Sequence, residues 1–188
     1  MSIVTVQGNA SGTGTLTIAS PNTDSNYTLN LPAATGTVMV SGNMPAFSAY
    51  ASAAQSVANN TYTILNANIE LFDTASCYNN TGSTVGGIPA YSFLPSVAGY
   101  YQVNAAWYSA TPSGQISSSI FKNGVAYQLI ASSFSSVGQV LGVNCLVYLN
   151  GSSDYIGFYI YQGQGSTYAT LASRPDLYYF AASMVRGA

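Results

Sequence analysis

Residues able to do acid–base or nucleophilic chemistry are scarce in this chain. It has no histidine, the commonest general base and metal ligand, and five carboxylates: Asp24, Glu70, Asp73, Asp154 and Asp176. Glu70 and Asp73 are the pair whose proximity in sequence suggests a glycosidase dyad or a corner of a calcium site. An odd spacing of three places them on opposite faces of a strand, so a position bordering a turn fits them better. The many serines have no base to activate them. Gly12-Thr13-Gly14 precedes a strand pattern rather than a helix, which excludes a phosphate cradle. Gly163-Gln164-Gly165 reads as a mobile tip, with contact to a receptor as its functional version. No catalytic, cofactor-binding or metal site is expected, and the chain is not expected to be an enzyme.

Cys77 and Cys145 could form one bridge, but their spacing cannot show that they meet. The N-terminus has neither a charged start nor a long apolar core, so no secretion signal is expected. Two free, largely buried thiols are expected in preference to a bridge, which spacing leaves open. Five Asn-x-Ser/Thr sequons, at Asn9, Asn26, Asn59, Asn79 and Asn150, then carry no glycosylation signal.

The composition explains what positions so little chemistry. Of 188 residues, 48% are hydrophobic and only 4% charged, against about 25% charged in an ordinary soluble domain. Sixteen tyrosines, with Ser, Thr, Asn, Gln and Gly, fill the deficit. Tyrosine couples apolar area to a polar tip and suits surfaces buried in an assembly. The three cations, Lys122, Arg174 and Arg186, are too few and too scattered for nucleic acid. No run suggests a membrane span or a basic amphipathic helix.

The elements read as β throughout. In 91–107 a break at Leu94-Pro95-Ser96-Val97-Ala98-Gly99 separates two strand-like runs. Beyond it Tyr101, Val103, Ala105 and Trp107 share one face, with Gln102 and Asn104 on the other. Short strands are expected over 62–65, 69–72 and 116–121, then 137–149, 155–161 and 177–185, with a polar loop over 78–87. Asn123-Gly124 is a strong hairpin signal. Residues 51–58 are the single helix candidate, with propensity but no apolar face. Between 155 and 161 the pattern puts Ile156, Phe158 and Ile160 inside the sandwich. Tyr155, Tyr159 and Tyr161 then lie outside, where a threefold contact would bury them; an exposed surface facing glycan is the alternative.

Residues 1–42 form a separate stretch with strand patterns over 13–18, 27–31 and 37–40. It holds too few large side chains to bury a core alone and needs a partner, gained by strand addition. Leu16, Ile18, Leu29, Leu31, Val38 and Val40 are the expected anchor side chains. Gly12 to Pro21 followed by Tyr27 to Val38 resembles a segment common in bacteriophage fibre and other virion surface proteins.

The second module, 43–188, resembles the C1q-like head, a jelly-roll relative of the tumour necrosis factor fold. Its landmarks are Pro45-Ala46-Phe47-Ser48-Ala49, then Tyr91-Ser92-Phe93-Leu94-Pro95 with Gly99 and Tyr101, and then Phe121-Lys122-Asn123-Gly124. Leu149-Asn150-Gly151 with Asp154-Tyr155-Ile156 follows, and Tyr179-Phe180-Ala181-Ala182-Ser183-Met184 closes the set. Ser153 and Ala182 stand where the family usually has glycine. Some members use an acidic residue at the place of Asp154 to help bind calcium; with no neighbouring carboxylate, a turn-capping role is expected here.

The resemblances together imply an all-β protein: a small β-rich N-terminal anchor joined to a homotrimeric C1q/TNF-like jelly-roll head. The function they imply is a bacteriophage capsid decoration (cement) protein at the virion surface, bound to the major capsid protein. A short tail fibre, attached to a tail component with its head on a host surface glycan, is the alternative. Neither nucleic acid nor membrane is an expected partner, and no cofactor is expected.

Overall fold

A computed structural model describes residues 3, 5, 7, 8, 10–19, 21–30, 33, 38–110, 114–134, 138–171 and 174–188. The chain divides into two compact units, Met1–Gly36 and Thr37–Ala188. Residues 37–42 thus belong with the head, although composition alone groups them with the first stretch.

Among the described residues, the strands expected over 13–18 and 27–31 are not formed. The described residues there lie in no ladder, and Leu16, Ile18 and Leu29 are more than four-fifths exposed. Alternation supplies a face for pairing, but a ladder needs a second strand. Residues 37–40 likewise form no strand where described. They lead into a single 3-10 turn at Ser41–Asn43, where the Asn43 side chain accepts from Val40 N (2.8 Å).

The head is a sandwich of two antiparallel sheets, built from β1 (Ala46–Tyr50), β2 (Ser56–Val57), β3 (Thr63–Ile64), β4 (Ile69–Asp73), β5 (Ser92–Phe93), β6 (Gly99–Ser109), β7 (Gly114–Lys122), β8 (Val125–Phe134), β9 (Gln139–Leu149), β10 (Ile156–Gln162), β11 (Tyr168–Ala169) and β12 (Tyr179–Gly187). One sheet runs β4-β1-β12-β6-β9 and the other β3-β10-β7-β8, with β5 also on β10; β2 and β11 pair separately. The helix candidate at 51–58 is instead loop and strand β2. Val57 is buried there, and its partner Tyr168 lies far along the chain, so long-range pairing overrides local propensity.

Strand β6 carries the core as its alternation dictates: Tyr101, Val103, Ala105 and Trp107 are all buried. Each fully buried large side chain contributes roughly 1.5–3 kcal/mol from apolar area alone. Trp107 Nε1 donates to Ser117 O (3.2 Å) and Ser118 Oγ donates to Leu141 O (2.6 Å), each bond joining one sheet to the other. Phe47 stacks on Tyr78 (4.4 Å) and Phe93 (4.7 Å) and meets the edge of Phe180 (4.9 Å). At the break before β6, the Tyr101 hydroxyl donates to Val97 O (2.6 Å). A Cβ at Gly99 would collide with Arg186 O and the Met184 side chain, which fixes glycine there. Asn123 (φ 53°) and Gly124 (φ 78°) make the left-handed pair that a tight hairpin demands.

Candidate assembly surfaces

Neutral amides organise the loops. Asn150 Oδ1 accepts from the backbone nitrogens of Ser152, Ser153 and Asp154. Asp154 accepts from Asn123 Nδ2 (2.8 Å) and Asn150 N (3.2 Å) and pairs with Lys122 Nζ (2.9 Å). Partial desolvation pushes this carboxyl up, but the bonds from Asn123 and Lys122 and the ammonium charge outweigh it, leaving Asp154 below its ordinary value. Asp73 accepts from Ala75 N and Tyr78 N and so caps the turn after β4, whereas Glu70 lies within β4. The 163–165 tip is tied down: Gln164 N donates to Gln162 Oε1 and Gly165 N to Asn59 Oδ1. Both cysteines are free. Among the described residues, no three of Cys, Asp and Glu converge to hold a metal.

Tyr155, Tyr159 and Tyr161 come from β10 and its approach. Ile156, Phe158 and Ile160 between them point into the sandwich. The rings on the outer side have partners within the chain. Tyr159 stacks on Phe121 (4.1 Å), and burial raises its phenol pKa, with Tyr155 adding to the rise. Tyr161 lies 5.1 Å from Tyr62 and donates to Asn60 Oδ1 (3.0 Å). Tyr155 is half-buried and donates its backbone N–H to Asn123 Oδ1. These side chains cover their own sheet.

The five-stranded sheet is different. Its outward face carries cross-strand rows of Tyr50, Tyr179, Ala106 and Gly142, then Ser48, Ala181, Asn104 and Asn144, then Ala46, Ser183, Gln102 and Leu146. These three rows are neutral, and the next one, Arg186, Tyr100 and Tyr148, brings one cation onto the face. At one margin β4 exposes Ile69, Phe72 and Leu71, the last 65% exposed at a register shift. At the opposite margin β9 exposes Val140, Leu146 and Tyr148, and neighbouring β8 exposes Val125, Tyr127 and Leu129. The Tyr127 hydroxyl donates to Leu146 O (3.1 Å) and Lys122 Nζ to Tyr148 O (2.8 Å), closing the sandwich along this margin. The β4 margin also carries Glu70, exposed there and held above its ordinary pKa by partial desolvation and then by Asp73 at the end of the same strand.

Of the expected anchor side chains, Leu16, Ile18 and Leu29 lie exposed in the first unit, and Val38 and Val40 are exposed at the start of the second. Leu31 lies outside the described residues. Met39, between the two valines, packs against the head core. The apolar margins on β4, β8 and β9 are not singled out by sequence, because periodicity assigns faces but not which strand ends a sheet.

No family model matches the chain, and no curated protein is significantly similar to it. Solved structures do share the fold. Murine APRIL at pH 5.0 superposes with a TM-score of 0.57 at 10% identity, covering 76% of this chain and 99% of that one. Eiger TNF from S. frugiperda gives 0.55 at 11% identity, covering 77% and 93%. The phage PRD1 vertex protein P5 gives 0.50 at 12% identity, covering 77% and 98%. The head is a jelly roll of the TNF type.

Proposed function

We propose that this chain is a trimeric structural protein of a bacteriophage particle, a capsid decoration protein whose first unit holds the major capsid protein. The carrying observation is the first unit itself. Leu16, Ile18 and Leu29 recur in strand alternation, stand 82%, 83% and 85% exposed, and have no ladder partner among the described residues. Burying them against a strand of another protein satisfies both backbone and side chains. That one solved structure of the same fold is a vertex protein supports placement on a virion.

The head assembles with two further copies through its five-stranded sheet, not through the tyrosines of β10. Its apolar margins lie at opposite ends of that sheet. A contact from one margin to the opposite margin of the next copy is head-to-tail, and with a threefold rotation such contacts close into a ring of three. Cementing acts by mass action, since a protein that binds only the assembled shell stabilises it.

Cryo-electron microscopy of particles with and without this protein tests the reading. The expected result is trimeric density at regular shell positions, lost on deletion together with some shell stability. Density confined to the tail, with intact shells and lost adsorption on deletion, overturns it in favour of a fibre tip.

A further inference from the structure

Between β4 and β5 the chain makes an excursion over residues 78–91 that folds on itself around one side chain. Asn79 is 5% exposed. Its Nδ2 lies within hydrogen-bond distance of Ser83 O (2.7 Å), Ile88 O (2.8 Å) and Pro89 O (3.1 Å), and its Oδ1 accepts from Thr81 N (2.9 Å) and Thr81 Oγ1 (2.7 Å). Val85 and Ile88 bond each other through both backbone groups across Gly86 and Gly87, whose positive φ values of 57° and 85° make the tight turn. Tyr91 N donates to Thr81 O, and Asn79 N to Ser92 O, pinning the excursion to β5.

This loop frames a concavity of about 340 Å³, lined by Ser76, Asn80, Thr81, Val85, Gly86 and Ile88 together with Tyr78 and Asn79. That volume falls at the lower end of the range for small-molecule pockets, about 300–1,000 Å³. Three features define what fits. The lining carries no charged side chain, and the carboxylate behind it, Asp73, is already held by Ala75 N and Tyr78 N, so an ionic ligand would lose its hydration without compensation. Val85 and Ile88 offer apolar surface. Asn80, half-buried in the lining, makes no side-chain hydrogen bond within the described residues, which leaves an amide able both to donate and to accept.

An amide beside an apolar wall, in a loop already rigid, matches a pyranose ring: adjacent hydroxyls on one edge and a C–H face on the other. Because Asn79 fixes the frame beforehand, little ordering opposes binding. The geometry points to a neutral-saccharide site in the 78–91 loop, with Asn80 as its hydrogen-bonding contact. This inference does not depend on the capsid reading and holds equally for a protein placed elsewhere.

Saturation-transfer NMR on the full chain tests it, using as probes the methyl glycosides of glucose, galactose, mannose, rhamnose, N-acetylglucosamine and N-acetylgalactosamine at millimolar concentration. At least one neutral glycoside is expected to bind, with no dependence on salt, while methyl sialoside does not. Asn80→Ala should weaken binding by about tenfold or more with an unchanged melting temperature. Val85→Lys, at a half-exposed position, should abolish binding by filling the site with charge. Tyr161→Ala, on the outer face of the other sheet, should leave binding intact. Failure of all six glycosides to bind, or binding that survives both Asn80→Ala and Val85→Lys, overturns the site.

Discussion

At the scale of single residues, this protein does with phenols and amides what most proteins do with charges. Tyr78 donates its hydroxyl proton to Ala67 O, Tyr101 to Val97 O, and Tyr178 to Tyr108 O while accepting from Leu171 N. Burial drives all three phenols upward, Tyr178 to about 12 and the other two further, and lifts the Cys145 thiol to about 11. Unfolded, these groups titrate near about 10 and 8.5. A folded pKa above the unfolded one means the native state holds more protons, so stability is complete below the unfolded values and falls as pH rises through the folded ones. The unfolding midpoint in urea should therefore stay level from about pH 5 to 8, since there is no histidine, and decline from about pH 9 upward. Absorbance at 295 nm should show exposed tyrosines ionising first and the buried set only as the head unfolds. A single smooth titration of all sixteen tyrosines without unfolding would contradict this.

At the scale of elements, what periodicity can see and what it cannot separate cleanly. Strand β6 was legible because Tyr101, Val103, Ala105 and Trp107 alternate and all four fill the core. The β10 alternation and the Asn123-Gly124 hairpin were legible for the same local reasons. Strand β2 was not, because its two residues pair with Tyr168 and Ala169 and nothing local announces that partner. The 13–18 stretch shows the converse: alternation is present but no strand forms, since a ladder is a property of two segments. The apolar margins escaped notice because edge position follows from sheet order. The Asn79 hub escaped it because an Asn-Asn-Thr sequence looks like any polar loop, and only the fold brings three carbonyls to one amide. That burial also removes Asn79 as a glycan acceptor. Because the two compact units part after Gly36, deletion of residues 1–36 should leave the head folded, with a melting temperature within about 2 °C of the full chain. The same deletion should abolish binding to purified shells. Loss of the folded head would place part of its stability in the first unit.

At the scale of the whole molecule, the two apolar margins give the proposed trimer a distinctive signature. Light scattering on the intact chain should return three times 19.5 kDa. Leu71→Asp on one margin, or Leu146→Asp on the other, should each give monomers, because either change places an unpaired charge in every contact. Mixed together, the two variants still possess one intact margin each and should join as a one-to-one dimer that cannot close. An isologous contact would give no such rescue. Tyr159→Ala should leave the trimer intact, since that ring already rests on Phe121.

The three cations have a consequence outside stability and assembly. Trypsin engages lysine or arginine through the carboxylate of its specificity pocket, and this chain offers it Lys122, Arg174 and Arg186 alone. Lys122 is held by Asp154 at the hairpin. Arg174 precedes Pro175, a bond trypsin cuts poorly, and Arg186 lies in β12, paired with Tyr100 of β6. The folded head should therefore survive prolonged tryptic digestion, while chymotrypsin meets exposed aromatic side chains such as Tyr27 in the first unit and Tyr127 on β8. The near-absence of basic side chains thus makes the composition itself a defence against proteases that cut after lysine and arginine.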